Sequence, residues 1–333
     1  MPQLYPEEIW RLNSKDVLNL LESGALISKN KLIHFYAPSF TYYKTKYYKS
    51  APTSFPTISV TGTACSLNCK HCGGKVLETM HPALEPDELF DLCSKLKLDG
   101  SVGCLVSGGC LPDGSVPLDG FVEALGKIKR ELGLTVFVHT GIIKPQTALA
   151  LQKAGVDAAL IDVIGSAETL KKTLNLNVTP QDYADSLQTL QKSGLNFVPH
   201  IIVGLNEGEL DGEIEALKMV TAVEPSALVI IAFMPIHGTE MEKTTPPKPA
   251  DIAKVTAIAR LMFPNIPLIL GCMRPKGRAR DETDILGLMA GVDAIAFPSE
   301  EAVKFAENRG WKTSFSSFCC AQMYLDAAVK AKK

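Results

Sequence analysis

Cys65, Cys69 and Cys72 fall within TGTACSLNCKHCGG, a C-x3-C-x2-C spacing that ends in Gly73-Gly74. Thiolates this close together are soft ligands, and the glycines let the backbone bend around a bulky group. The loop therefore suits an iron–sulfur cube. Three thiolates leave one iron of such a cube with an open position, as three protein ligands do at a catalytic zinc. A structural zinc site wants a fourth Cys or His at short spacing. His71 is the one candidate nearby, and its adjacency to Cys72 makes the geometry awkward. Three core cysteines are the plain alternative, but this segment is polar and glycine-rich.

The elements that must position the loop follow from the rest of the chain. The sequence has 333 residues, 46% of them hydrophobic and 21% charged, so a sizeable core can be buried and disorder is excluded for most of it. Lys+Arg 34 against Asp+Glu 36 gives a net charge of -2, which argues against a nucleic-acid partner. The longest apolar runs, such as 226–236, are too short to span a bilayer. The opening MPQLYPEEIW carries acidic residues where a signal peptide would be basic and then apolar, so the cytoplasm is expected. There the nine cysteines divide among core fillers, catalytic thiols and metal ligands rather than disulfides.

From Thr57 onward, short β-branched runs alternate with helical patterns. The strands are expected at 57–61, 102–107, 135–139, 158–163, 197–203, 227–233, 267–270 and 294–297. The helices are expected at 86–98, 118–132, 145–154, 179–193, 208–223, 249–263, 281–290 and 300–308. Strict alternation of eight and eight predicts an α/β fold, a (β/α)8 TIM barrel, with a doubly wound open sheet as runner-up. Residues 57–310 form the barrel in this reading. Residues 1–56 are a tyrosine-rich lead-in with a helix at 15–22 capped by Ser14, and 311–333 are a cysteine-bearing tail. A TIM barrel keeps its chemistry at the carboxyl ends of its strands.

C-x3-C-x2-C directly after the first barrel strand resembles the radical S-adenosylmethionine (SAM) family. The resemblance implies a [4Fe-4S] cluster whose open iron chelates the amino and carboxylate groups of SAM. An electron from the cluster then cleaves the C–S bond to give a 5′-deoxyadenosyl radical. Ser107-Gly108-Gly109 resembles the family's Gly-Gly-Glu-type motif, which meets the SAM amino group, with Cys110 in place of the acid. Asp162 sits where relatives place a polar residue on the SAM ribose, and a carboxylate accepts from hydroxyls. His200 to Glu207 resembles the motif G-x-I-x-G-x-x-E, with His200 replacing the first Gly while Ile202, Gly204 and Glu207 match. Ile202 is then expected on the adenine, and Gly204 to let the backbone approach.

Eight units resemble the full-barrel biotin-synthase-like group of that family, over about Thr57 to Gly310. Cys93 and Cys104 read as core residues. Cys110, Cys272, Cys319 and Cys320 are expected at the active-site end, where three or four of them would hold an auxiliary iron–sulfur cluster. Cys319 or Cys320 alone reaches it more readily than both. In this family such a cluster implies sulfur insertion. The Gly-Cys-Met-Arg and Ser-Phe-Cys-Cys features resemble the archaeal-type two-component lipoyl synthases. The implied substrate is an octanoyl chain on a lipoyl carrier protein, with a ferredoxin or flavodoxin as electron donor and a second radical SAM subunit. Arg274, Lys276, Arg278 and Arg280 offer a landing place for an acidic carrier or a carboxylate, or else form a solvated loop. The competing readings are a cofactor maturase or mutase without sulfur transfer, and a silent metal-binding scaffold.

Overall fold

The computed structural model describes residues 5–27 and 32–331. Eleven strands make one sheet: β1 (Leu32–Tyr36), β2 (Thr57–Ser59), β3 (His81–Pro82), β4 (Gly103–Ser107), β5 (Thr135–His139), β6 (Ala158–Asp162), β7 (Phe197–Val203), β8 (Leu228–Ala232), β9 (Leu268–Leu270), β10 (Ala294–Ala296) and β11 (Lys312–Ser316). Their order is β11-β1-β10-β9-β8-β7-β6-β5-β4-β2-β3, with every ladder parallel. All eight expected strands are present as neighbours in chain order. The sheet curls as a TIM-like barrel does, but among the described residues no ladder joins β11 to β3, so its hydrogen-bonded run stays open.

Alternation sorts the side chains of each strand onto two faces. Phe137, Leu160, Val198, Val229, Ile269 and Ala294 share one apolar cluster, which fills the inside of the curl. Val136, Val138, Ile161, Ile201 and Ile230 belong to the larger cluster under the helices. The same period carries Ser107, His139, Asp162, His200 and Ile202 to the inner face, at or near the carboxyl ends of β4 to β7. Register fixes their neighbours: His139 lies opposite Leu160, and Asp162 opposite His200.

Both flanking segments join this architecture. Strand β1, from the tyrosine-rich lead-in, inserts between β10 and β11. The tail turns inward after β11, and Cys319, Cys320, Ala321 and Met323 pack into the inner cluster with Tyr36 and Phe55. Two hydrogen bonds anchor it: Tyr36 Oη donates to Asp326 at 2.5 Å, and Tyr324 Oη donates to the Asp157 carbonyl at 2.7 Å.

The helices depart from expectation where local geometry intervenes. The helix expected at 15–22 is capped by Asn13, whose Oδ1 accepts from the Asp16 amide at 3.1 Å, so Ser14 is its first helical residue rather than the cap; a shorter helix, Pro6–Arg11, precedes it. The stretch 118–132 breaks into a 3-10 turn, an α-helix (Val122–Lys127) and a π-turn ending at Gly133. The helix expected from 208 begins only at Glu213. Gly212 before it has φ +93 and meets Ser166 N at 2.5 Å from an added Cβ, so the chain enters through a tight glycine turn. A short helix, Ala167–Lys172, was not expected. No helix among the described residues is long and apolar enough to cross a membrane.

Candidate active site

The loop after β2 is held to the turn that follows β4 by hydrogen bonds. Thr61 Oγ1 donates to the Ala64 carbonyl at 2.9 Å and accepts from Gly109 N at 2.7 Å, and Ser66 N donates to the Cys110 carbonyl at 2.8 Å. Close approach is what Gly109 permits: a Cβ there would lie 2.0 Å from the Ala64 carbonyl and 2.7 Å from Cys65 Cβ. From the other side, Asn175 Nδ2 donates to the Asn68 carbonyl at 3.0 Å, and Lys70 N to the Thr173 carbonyl at 2.8 Å.

This bracing brings Cys69 and Cys72 together with His71, with Cys65 outside that closest group. Ligand atoms of Cys69, His71 and Cys72 lie within 4.8 Å of one another. The hydrogen bond between Cys69 and Cys72, with burial, pushes the Cys69 thiol well up. The same bond, helped by His71, draws Cys72 down to about 4. A buried pair that keeps one thiolate at neutral pH fits a cationic metal group. Cys65 flanks the pair beside Gly109, and the buried Nδ1 of His71 has no hydrogen-bond partner among the described residues. The donor set and its glycine-lined cradle fit three-thiolate ligation of an iron–sulfur cluster.

A cavity of about 690 Å³ opens from this loop across the inner face of the curl. His71 and Cys72 line one side. Ser107, His139, Asp162, His200 and Ile202 line the strand ends. His139 Nε2 is 3.5 Å from Asp162 Oδ1. Burial works against charge on both groups, yet their mutual attraction wins: His139 is raised and Asp162 is lowered from its ordinary value. At His200 burial outweighs the attraction of Asp162 and drives it down to about 4.

Cys272, Cys319 and Cys320 also line this cavity. A hydrogen bond from Cys320 lowers Cys319 and raises Cys320, and burial lifts Cys272 to about 11. Cys110 does not join them. Burial pushes its thiol up to about 12, and the charges that act on it are those of Cys65, Asp162, Cys72 and Asp113. It belongs beside the cysteine loop because Ser66 ties its backbone there. Cys93 and Cys104 are buried as expected, their sulfurs 4.0 Å apart.

Three of the expected features have partners within the protein. Gly109 N donates to Thr61 Oγ1, which leaves its carbonyl as the backbone group that can accept from an amino group. Gly204 has φ +73, and an added Cβ would lie 2.7 Å from Pro247, so Pro247 already occupies its open side. Its amide donates to Glu213 Oε1 at 2.8 Å, so Glu213 braces that turn. Among the loop cations, Arg274 is fully buried against Asp284 at 2.7 Å, and Arg280 spends its donors on the carbonyls of Arg274, Pro275 and Phe297. Lys276 and Arg278 remain exposed. His139 was passed over in the sequence; its inward parity at the end of a strand was the available signal.

A model of the radical SAM superfamily matches residues 59–219. The chain is 27% identical over 245 residues to a biotin synthase of Rickettsia felis, covering 72% of this chain and 78% of the relative. A biotin synthase of Buchnera aphidicola is 26% identical over 249 residues, covering 72% and 70%. Among solved structures, HydG, a maturase of the [FeFe]-hydrogenase, superposes with a TM-score of 0.61 at 16% identity, covering 98% of this chain and 82% of that one. Methylornithine synthase (PylB) gives 0.61 at 16%, covering 93% of each. Those two likenesses concern the fold.

Proposed function

We propose, from the premise that the chain carries a radical SAM domain and falls with the biotin-synthase-like group, that it inserts sulfur into an octanoyl chain carried on a lipoyl domain, as a lipoyl synthase component. The superfamily implies a [4Fe-4S] cluster and SAM, which together supply a 5′-deoxyadenosyl radical able to take hydrogen from an unactivated carbon.

The chain's own residues have the following parts in this reading. Cys65, Cys69 and Cys72 ligate the cluster through their thiolates. Ser107 and Gly108 present the end of β4 to the methionine part of SAM, Asp162 accepts from its ribose hydroxyls, and Ile202 packs on its adenine. The apolar wall of the cavity, including Leu160, Val229, Ile231 and Phe297, excludes water and receives a fatty chain. Cys272 with Cys319 or Cys320 binds an auxiliary cluster as the sulfur source.

The observation that supports this reading is the shared cavity: three thiols from β9 and the tail line the same space as Cys72 and His71. A ferredoxin or flavodoxin would deliver electrons, a second radical SAM subunit would complete the reaction, and a reducing cytoplasm would keep the thiols free. Iron and sulfide analysis of anaerobically reconstituted protein tests it. About eight irons per chain support sulfur insertion. About four, with 5′-deoxyadenosine still formed from SAM, favour a maturase or mutase without sulfur transfer.

A further inference from the structure

Three consecutive strands carry a set of ligand-type side chains that is separate from the cysteines. His139 ends β5, Asp162 ends β6 and His200 lies on β7 in register with Asp162. All three face the cavity. One ligand atom from each lies within 4.8 Å of the other two. The imidazole centroids are 5.7 Å apart, and His139 Nε2 is 3.5 Å from Asp162 Oδ1.

The second nitrogen of His200 fixes its tautomer. Nδ1 is 3.1 Å from the Val198 carbonyl, which can only accept, so Nδ1 carries the hydrogen and Nε2 presents a lone pair. Holding one ring nitrogen on a backbone carbonyl is how proteins orient metal-binding histidines. Neighbouring strands of a stiff sheet then set the spacing before any ligand arrives, which lowers the ordering cost of binding.

We propose that His139, Asp162 and His200 form a second metal site, separate from the thiol ligands, that holds one divalent cation of the Fe2+, Mn2+ or Zn2+ class. Two imidazoles and a carboxylate are the donor set that such ions take, and three protein ligands leave positions open towards the cavity. An oxygen of a molecule bound in the cavity would fill one of them, with the cation polarising it. Asp162 gives the cation the oxygen turned to His139 and keeps the other for a hydroxyl.

Mn2+ is the probe, because it favours nitrogen and oxygen over thiolate. The cluster-loaded protein, with its iron–sulfur groups oxidised, is titrated with Mn2+ while the free-ion EPR signal is followed. The expected result is one bound Mn2+ per chain, weakened about tenfold or more in both His200→Gln and Asp162→Asn and unchanged in Cys272→Ser. Absence of binding to the wild-type chain would overturn the proposal. So would binding that survives both His200→Gln and Asp162→Asn, or binding that Cys272→Ser removes. Wild-type stoichiometry keeps the test decisive if a variant misfolds.

Discussion

The amide of Gly204 lies 2.8 Å from Oε1 of Glu213, while the other oxygen of that carboxyl is buried with no partner among the described residues. Burial outweighs the backbone bonds and raises Glu213 from 4.5 to about 7. The native chain therefore holds a proton there that the unfolded chain has lost. Stability from this group is complete below about pH 4.5 and is lost as pH rises through about 7. Glu213→Gln should remove that slope. Thermal unfolding of variant and wild type at pH 5.5 and pH 8 checks it: the variant should gain on wild type at the higher pH, by at most about 2 kcal/mol. Parallel pH dependences would show that Glu213 is not the buried acid described.

Gly109 tests the cradle around the cysteines. Its absent Cβ would strike the Ala64 carbonyl and Cys65 Cβ, both of them parts of the loop that must stay in place. At Gly108 the nearest atoms are 3.1 Å away on Thr61 and 3.2 Å away on Val60, all side-chain atoms. Gly109→Ala should therefore lower reconstituted iron sharply and cost about 1–3 kcal/mol, whereas Gly108→Ala should do much less of either. Equal iron contents in the two variants would refute the close packing of β4 on the loop.

Arg274 is a structural cation rather than part of an open binding surface. Both it and Asp284 are fully buried, and Asp284 Oδ2 also accepts from Ser299 N at 2.8 Å. Arg274→Ala leaves that carboxylate charged and unpaired, at a cost of about 3–5 kcal/mol. Exposed Arg278→Ala should cost nothing measurable. Denaturant midpoints of the two variants provide the comparison, and a stable Arg274→Ala would return that residue to the candidate binding surface.

Arg274 also illustrates where a sequence stops being legible. The barrel strands were readable because each is a short β-branched run buried on both faces, and the cysteine triplet because its ligands are local. Arg274 was not, since its partner lies on a later helix and nothing in the spacing reveals that a cation will be swallowed. Glu213 was obscured by Glu207, which matches a motif while its backbone turns at φ +53. The lead-in offered aromatic residues but no sign that Leu32–Tyr36 would pair with both β10 and β11. Parity along β5 did imply that His139 faces inward, yet only the register of three strands brings it to Asp162 and His200.

Cys110 and Cys272 were expected in one cluster, and the fold separates their fates. Cys110 is bound by its backbone to the cysteine loop, while Cys272 shares the cavity with Cys319 and Cys320. If an auxiliary cluster forms, Cys272→Ser should remove about half of the iron, and Cys110→Ser should leave the total unchanged. Cys65→Ser should abolish SAM cleavage while sparing the auxiliary iron. Iron counts on the three variants, with 5′-deoxyadenosine measured after reduction, resolve the two sites independently. A loss of iron in Cys110→Ser equal to that in Cys272→Ser would mean that Cys110 reaches the second cluster after all, against the direction in which Ser66 holds it.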